Sequence, residues 1–146
     1  MGFAIDRSRT IISAMILGRR VTAQDVAWLR REVFAGRVVT REQADELFAV
    51  ARADMNNAPE WKDFFVEMIA RHVIGQSEPE GAVSEERAAW LMNRVDECRS
   101  VEALAALANL LAEARSVPEW LLEAGRARVA AGRQNAGRAL PAATTG

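Results

Sequence analysis

Tyrosine is missing from this 146-residue chain, lysine occurs once (Lys62), and cysteine and histidine occur once each, as Cys98 and His72. A single cysteine excludes a disulfide framework and a cysteine-based zinc site within one chain. A single histidine removes most multi-histidine metal sites and the usual triads. No apolar run approaches the ~18–20 residues that cross a bilayer. Near the start, Asp6, Arg7 and Arg9 precede only the short apolar stretch Ile11–Gly18, with no small-residue cleavage site, so no export signal is read. With one thiol, this points to the cytoplasm. No glycine-rich phosphate cradle, nucleotide fingerprint or nucleophile elbow is present.

Apolar residues make up 50% of the chain and charged residues 27%, which excludes a disordered or low-complexity polymer. The length suits one domain with a real core. Eighteen of the 19 basic residues are arginine and alanine is abundant, a codon bias expected of a high-GC bacterial genome. Charge is unevenly spread: residues 1–20 carry a net +3, residues 124–146 a net +4 and the body between them a net −8. An acidic body with basic ends argues against duplex DNA binding through the body.

The pattern is helical almost throughout, and the expected fold is all-α with about seven helices. Thr22 with Asp25 and Thr40 with Gln43 read as capping boxes opening helices over 22–35 and 40–55. Pro59 in a first turn opens 59–74, where Trp61, Phe64, Phe65, Met68, Ile69 and Val73 form an apolar stripe. Ser84, Ser100 and Pro118 open helices over 84–98, 100–115 and 117–131. Ile11–Leu17 is a shorter N-terminal helix. Val38-Val39 is the best strand candidate and is two residues long. Residues 132–146 read as a flexible tail after Gly132.

The chain also repeats itself. Val21-Thr22 and Ala27-Trp28-Leu29 return as Val83-Ser84 and Ala89-Trp90-Leu91. Ala51-Arg52 returns as Ala114-Arg115, and Pro59-Glu60-Trp61 as Pro118-Glu119-Trp120. The reading is one domain over 1–131, built of two tandem three-helix units at 21–75 and 83–131. On this logic Trp28 and Trp90 are equivalent core pegs, as are Trp61 and Trp120, each burying roughly 150–250 Å².

Two loops, Gly36-Arg37-Val38-Val39-Thr40 and Pro79-Glu80-Gly81-Ala82-Val83-Ser84-Glu85-Glu86, carry a resemblance. Their glycine-to-cap spacing is similar to that of tellurite-resistance-type all-helical domains, and of uncharacterised bacterial helical proteins with a full Asp-Gly turn. The resemblance implies a compact helical bundle and, in some relatives, a cation held by loop carboxylates. Ala35 stands where the first aspartate would fall and Glu80 in the second loop, too few oxygens for a hard cation. No cofactor or metal site is therefore expected. Val39–Leu47 separately resembles the first helix of a helix-turn-helix reader, without the tight turn and basic recognition helix that follow in that motif.

His72 is expected to be a helix-terminal imidazole favoured by the helix dipole, and Cys98, among Asp96, Glu97 and Arg99 at a helix end, an unreactive thiol. Asp63 with Glu67 and Glu42 with Glu46 read as solvated faces, some paired with Arg41 or Arg71. The function expected is a non-enzymatic module that binds another protein, through a groove between the units or an exposed helix face. The loop carrying Gln76, Glu78, Glu80, Glu85 and Glu86 would line that groove and favour a basic partner. The alternatives are a nucleic-acid-associated regulator using the arginine-rich ends and helix 40–55, and a cation-binding stress protein.

Overall fold

The computed structural model describes residues 20–36, 38–53, 56–75 and 80–145, with side chains to residue 134. Among the described residues there are six helices and no strand, apart from an isolated parallel bridge between Ala82 and Ser116. The expected helix at Ile11–Leu17 lies outside the described residues.

Helix α1 spans Ala23–Trp28 behind a capping box, in which Thr22 Oγ1 accepts the Asp25 N–H and the Asp25 carboxylate accepts the Thr22 N–H. The chain then widens into a π-helical turn, Leu29–Val33, where a uniform helix to residue 35 was expected. The reason is visible at its end. Phe34 N–H reaches back five residues to Leu29 O at 2.8 Å, and the extra residue in the turn delivers the Phe34 ring edge-on to Phe64, 5.4 Å away.

Helix α2 (Arg41–Arg52) opens with the second capping box, Thr40 with Gln43, and stops three residues short of the expected end. Helix α3 (Pro59–Ile74) carries proline in its first turn. Ser84 and Ser100 cap α4 (Glu85–Cys98) and α5 (Val101–Glu113) as expected. Helix α6 runs from Glu119 to Thr145, through the segment read as a flexible tail. Gly132 does not stop it, because one interior glycine costs a helix only about 1 kcal/mol against alanine. It also lets α6 approach α5 closely, since a Cβ there would lie 2.5 Å from Leu104 Cδ1. Gly125 faces Leu111 in the same way, so the two helices run antiparallel in a seven-residue register.

One core runs through the molecule. Its thickest part lies where α3, burying Trp61, Phe64, Phe65, Met68 and Ile69, meets Ala103, Ala106, Leu107 and Leu110 of α5. Two loop closures hold the helix starts. Val21 N–H donates to Asn57 Oδ1 (2.7 Å), and Val83 N–H donates to Ser116 O (2.9 Å). Gly81, at φ +85°, gives its carbonyl to Arg115 N–H at 2.8 Å in the second of these.

Within each repeated pair, Trp28 with Trp90 and Trp61 with Trp120, the two rings differ in burial. Trp61 and Trp90 are buried core rings, but Trp28 is half-buried and Trp120 is 38% exposed. Trp120 stands at the start of α6, whose principal neighbours are α5 and α4. No element covers its outer face among the described residues, and its indole N–H donates to Glu85 Oε2 at 2.8 Å instead of entering the core.

Candidate functional site

Where α2, α3 and α4 meet, Trp90 is the centre of a polar cluster. Its ring lies edge-on to His72 at 4.9 Å and to Phe48 at 5.6 Å, and the Arg41 guanidinium sits over its face at 4.8 Å. Its Nε1–H donates to Asp45 Oδ1 at 2.9 Å, and Arg94 Nε donates to the same oxygen at 2.9 Å. Arg41 spans the junction, donating from Nε to His72 Nε2 (3.1 Å) and from Nη2 to the Glu86 carboxylate (2.8 Å).

These bonds fix the chemistry of His72. An arginine only donates, so Nε2 is the acceptor and Nδ1 carries the proton, which it gives to Val39 O at 2.8 Å. The imidazole stands in the last turn of α3, as expected, but is only 7% exposed. Burial pushes its pKa below the ordinary histidine value, and the nearby Arg41 and Arg87 charges push it the same way; the Val39 carbonyl and Asp45 pull against them. Saturated on both nitrogens and sealed from solvent, His72 is a structural hinge pin between α2 and α3.

Of the residues expected to line a groove, Gln76 and Glu78 lie outside the described residues, and Glu80 is exposed on the loop. Glu86 is held by Arg41 and Glu85 by the Trp120 indole. Cys98 is half-buried, its Sγ 3.2 Å from Ser100 Oγ. Asp96 takes a bidentate pair from Arg128 of α6, at 2.6 and 3.0 Å, which holds its carboxyl below the usual carboxylate range. Glu67 is likewise lowered, chiefly by its hydrogen bond from Arg30. Among the described residues no group of three His, Cys, Asp or Glu side chains could hold a metal ion. No described helix is long and apolar enough to cross a membrane.

The open concave surface lies elsewhere. A groove of about 560 Å³ runs between α3 and α5, its floor made by Val66, Ala70, Ile74 and Ala105. Lys62, Asp63, Arg71 and Glu113 stand along its edges. On the other flank of α5 a second, more apolar cleft of about 260 Å³ lies against α6, between Val101, Leu104, Ala108 and Val129. Between the two clefts the outer face of α5 presents Val101, Ala105, Ala108 and Ala112, spaced four, three and four residues apart. Val101 is 71% exposed. Glu102 and Glu113 are the only charged residues in the 13 of this helix. Spacing alone could have exposed this face, since Ala103, Ala106, Leu107 and Leu110 already account for the core side of α5. In comparisons with protein-family models, curated proteins and solved structures, nothing matches this chain.

Proposed function

We propose that the chain is a non-enzymatic helical module that acts by binding another protein, with the outer face of α5 and its flanking clefts as the docking surface. The observation that carries this reading is that α5 buries Ala103, Ala106, Leu107 and Leu110 and leaves a second apolar stripe, Val101, Ala105, Ala108 and Ala112, partly open. Glu102, Asn109 and Glu113 edge that stripe, and exposed apolar patches with polar rims mark protein contact sites. The α3–α5 groove has the concave form that suits a helix laid in a groove.

We also infer that the body is two tandem three-helix units, α1–α3 and α4–α6. The paired loop closures support this: Asn57 and Ser116 precede the repeated Pro-Glu-Trp by the same two residues, and each accepts from the residue before an N-cap, Val21 or Val83. The α3–α5 groove then lies between units. A regulator reading DNA through α2 has less support, because Arg41 is engaged inside the molecule by His72 and Glu86.

A photo-crosslinking residue placed at Ala105 in the native host tests the reading. Protein adducts should form at Ala105 and not at exposed Arg52. Recovery of nucleic acid alone from Ala105 would refute it.

A further inference from the structure

We infer that the junction of α2, α3 and α4 is an acid-operated latch: a proton taken up by His72 expels the Arg41 side chain from between His72 and Glu86 and uncovers the face of Trp90, while the helices stay in place.

Arg41 is the outer cover of this junction. Its guanidinium lies over the Trp90 ring at 4.8 Å and joins buried His72 on one side to Glu86 on the other. The cover is close to solvent, the Arg41 side chain being 33% exposed and that of Glu86 67%. As the first residue of α2, Arg41 stands where the helix dipole disfavours a cation, so its inward position depends on these three contacts.

The helices around it are held by other bonds. The Thr40–Gln43 capping box fixes the start of α2 without the Arg41 side chain. The Trp90 indole N–H keeps Asp45 Oδ1, which Arg94 braces, and Arg87 Nη1 ties α4 to Val73 O of α3 at 3.2 Å. The swing of one side chain therefore opens the junction without moving a helix.

The trigger is the bond from Arg41 Nε to His72 Nε2, because a protonated Nε2 has no lone pair left to accept it. Arg41 and Asp45 face the imidazole from α2 and Arg87 from α4, with Glu86 of α4 behind Arg41. On its own helix, Arg71 turns away to Glu67 and to Gly36 O. In the closed junction burial disfavours the imidazolium first, and the Arg41 and Arg87 charges add to that. When Arg41 leaves, one cation replaces another beside Asp45 and Glu86, and the junction returns to its closed formal charge. Glu86 is then free to accept the new Nε2–H.

Hydroxyl-radical footprinting of the full chain from pH 8 to pH 4.5, beside a nuclear magnetic resonance titration of its only histidine, tests the latch. Oxidation of Trp90 should rise severalfold with the midpoint of the His72 imidazole. Trp61, which is 1% exposed, should stay protected, and Trp120 should be oxidised throughout. In Arg41→Ala, Trp90 should be oxidised at both ends of the range. The His72 midpoint should rise by about half a pH unit or more in that variant, since a positive neighbour is gone. Trp90 protected below the His72 midpoint overturns the inference, as does an imidazole still neutral at pH 4.5. Trp61 and Trp90 uncovered together would mean global unfolding and overturns it too. So does an Arg41→Ala chain in which Trp90 stays protected at pH 8 or the His72 midpoint does not move.

Discussion

Arg41 Nε donates to His72 Nε2 across 3.1 Å, and this bond fixes the tautomer of an imidazole whose pKa is lowered first by burial. With Nε2 accepting and Nδ1 donating to Val39 O, protonation would turn the acceptor into a donor facing an arginine. The native state therefore resists the proton, and its histidine pKa lies below the unfolded value near 6.5. As pH falls through 6.5 the unfolded chain takes up a proton that the folded chain refuses, so folding stability drops. The contribution is complete above that value, is lost progressively down to the folded pKa, and changes no further below it. Chemical denaturation from pH 8 to pH 5 should show this decline. Glu67 and Asp96, with lowered pKa values, add to the loss further into acid. His72→Leu should remove the step near pH 6 and cost about 2–3 kcal/mol at pH 8, because Val39 O and Arg41 lose a buried partner. A step that persists in that variant would assign it to another group.

Asp45 holds two donors from α4 on one oxygen, the Trp90 indole N–H and Arg94 Nε, each at 2.9 Å. Asp45→Ala leaves a buried indole N–H unpaired and should cost about 1–2 kcal/mol. Asp45→Asn keeps an acceptor for the indole and gives up only charge on a part-exposed ion pair, so it should cost under about 1 kcal/mol. Equal losses in urea denaturation of the two variants would show that the charge, not the hydrogen bond to Trp90, is what matters.

What the sequence made legible follows from how local each signal is. Thr22, Thr40, Ser84 and Ser100 each cap a helix through a bond three residues away, so the residue type and spacing identify them directly. The Arg41–His72–Trp90 cluster joins residues 18 to 49 positions apart, and no spacing rule reaches that far. Likeness in sequence also overran likeness in surroundings: Trp61 and Trp120 share their Pro-Glu-Trp context, but Trp61 sits among Phe64 and Phe65 while Trp120 has the edge of the molecule. Gly132 has the conformational freedom of a helix stop, but at this position its missing Cβ serves the close approach of α6 to Leu104, which local sequence does not show.

Gly81 combines two demands that separate experimentally. Its φ of +85° is one that side-chain-bearing residues rarely adopt, and an added Cβ would lie 2.8 Å from Arg115 Cγ. Gly81→Ala should cost about 1–3 kcal/mol in thermal or urea unfolding. Repeating the substitution in an Arg115→Ala background removes the Cγ and Cδ contacts and leaves the backbone cost beside a milder 3.2 Å approach of the Cβ at position 115. A loss of the same size in both backgrounds assigns the whole effect to φ. Its disappearance in the second assigns it to crowding.

Arg99 is the opposite case, a side chain where the backbone favours glycine. It ends α4 at φ 52°, ψ 28°, in the left-handed region, and is followed at once by Ser100, the cap of α5. The two-residue link leaves no room to relieve that conformation, since moving residue 99 would misplace the Ser100 hydroxyl that accepts Ala103 N–H at 3.1 Å. Arg99→Gly removes the Cβ strain and gives up an exposed bond from Arg99 Nε to Asp96 O. The first effect is worth about 1 kcal/mol, and an exposed bond of this kind recovers only part of it. The variant should therefore be more stable by about 0.5 kcal/mol, read as a higher urea midpoint at unchanged slope. A lower midpoint would mean that the Arg99 side chain does more at the α4–α5 corner than its bond to Asp96 accounts for.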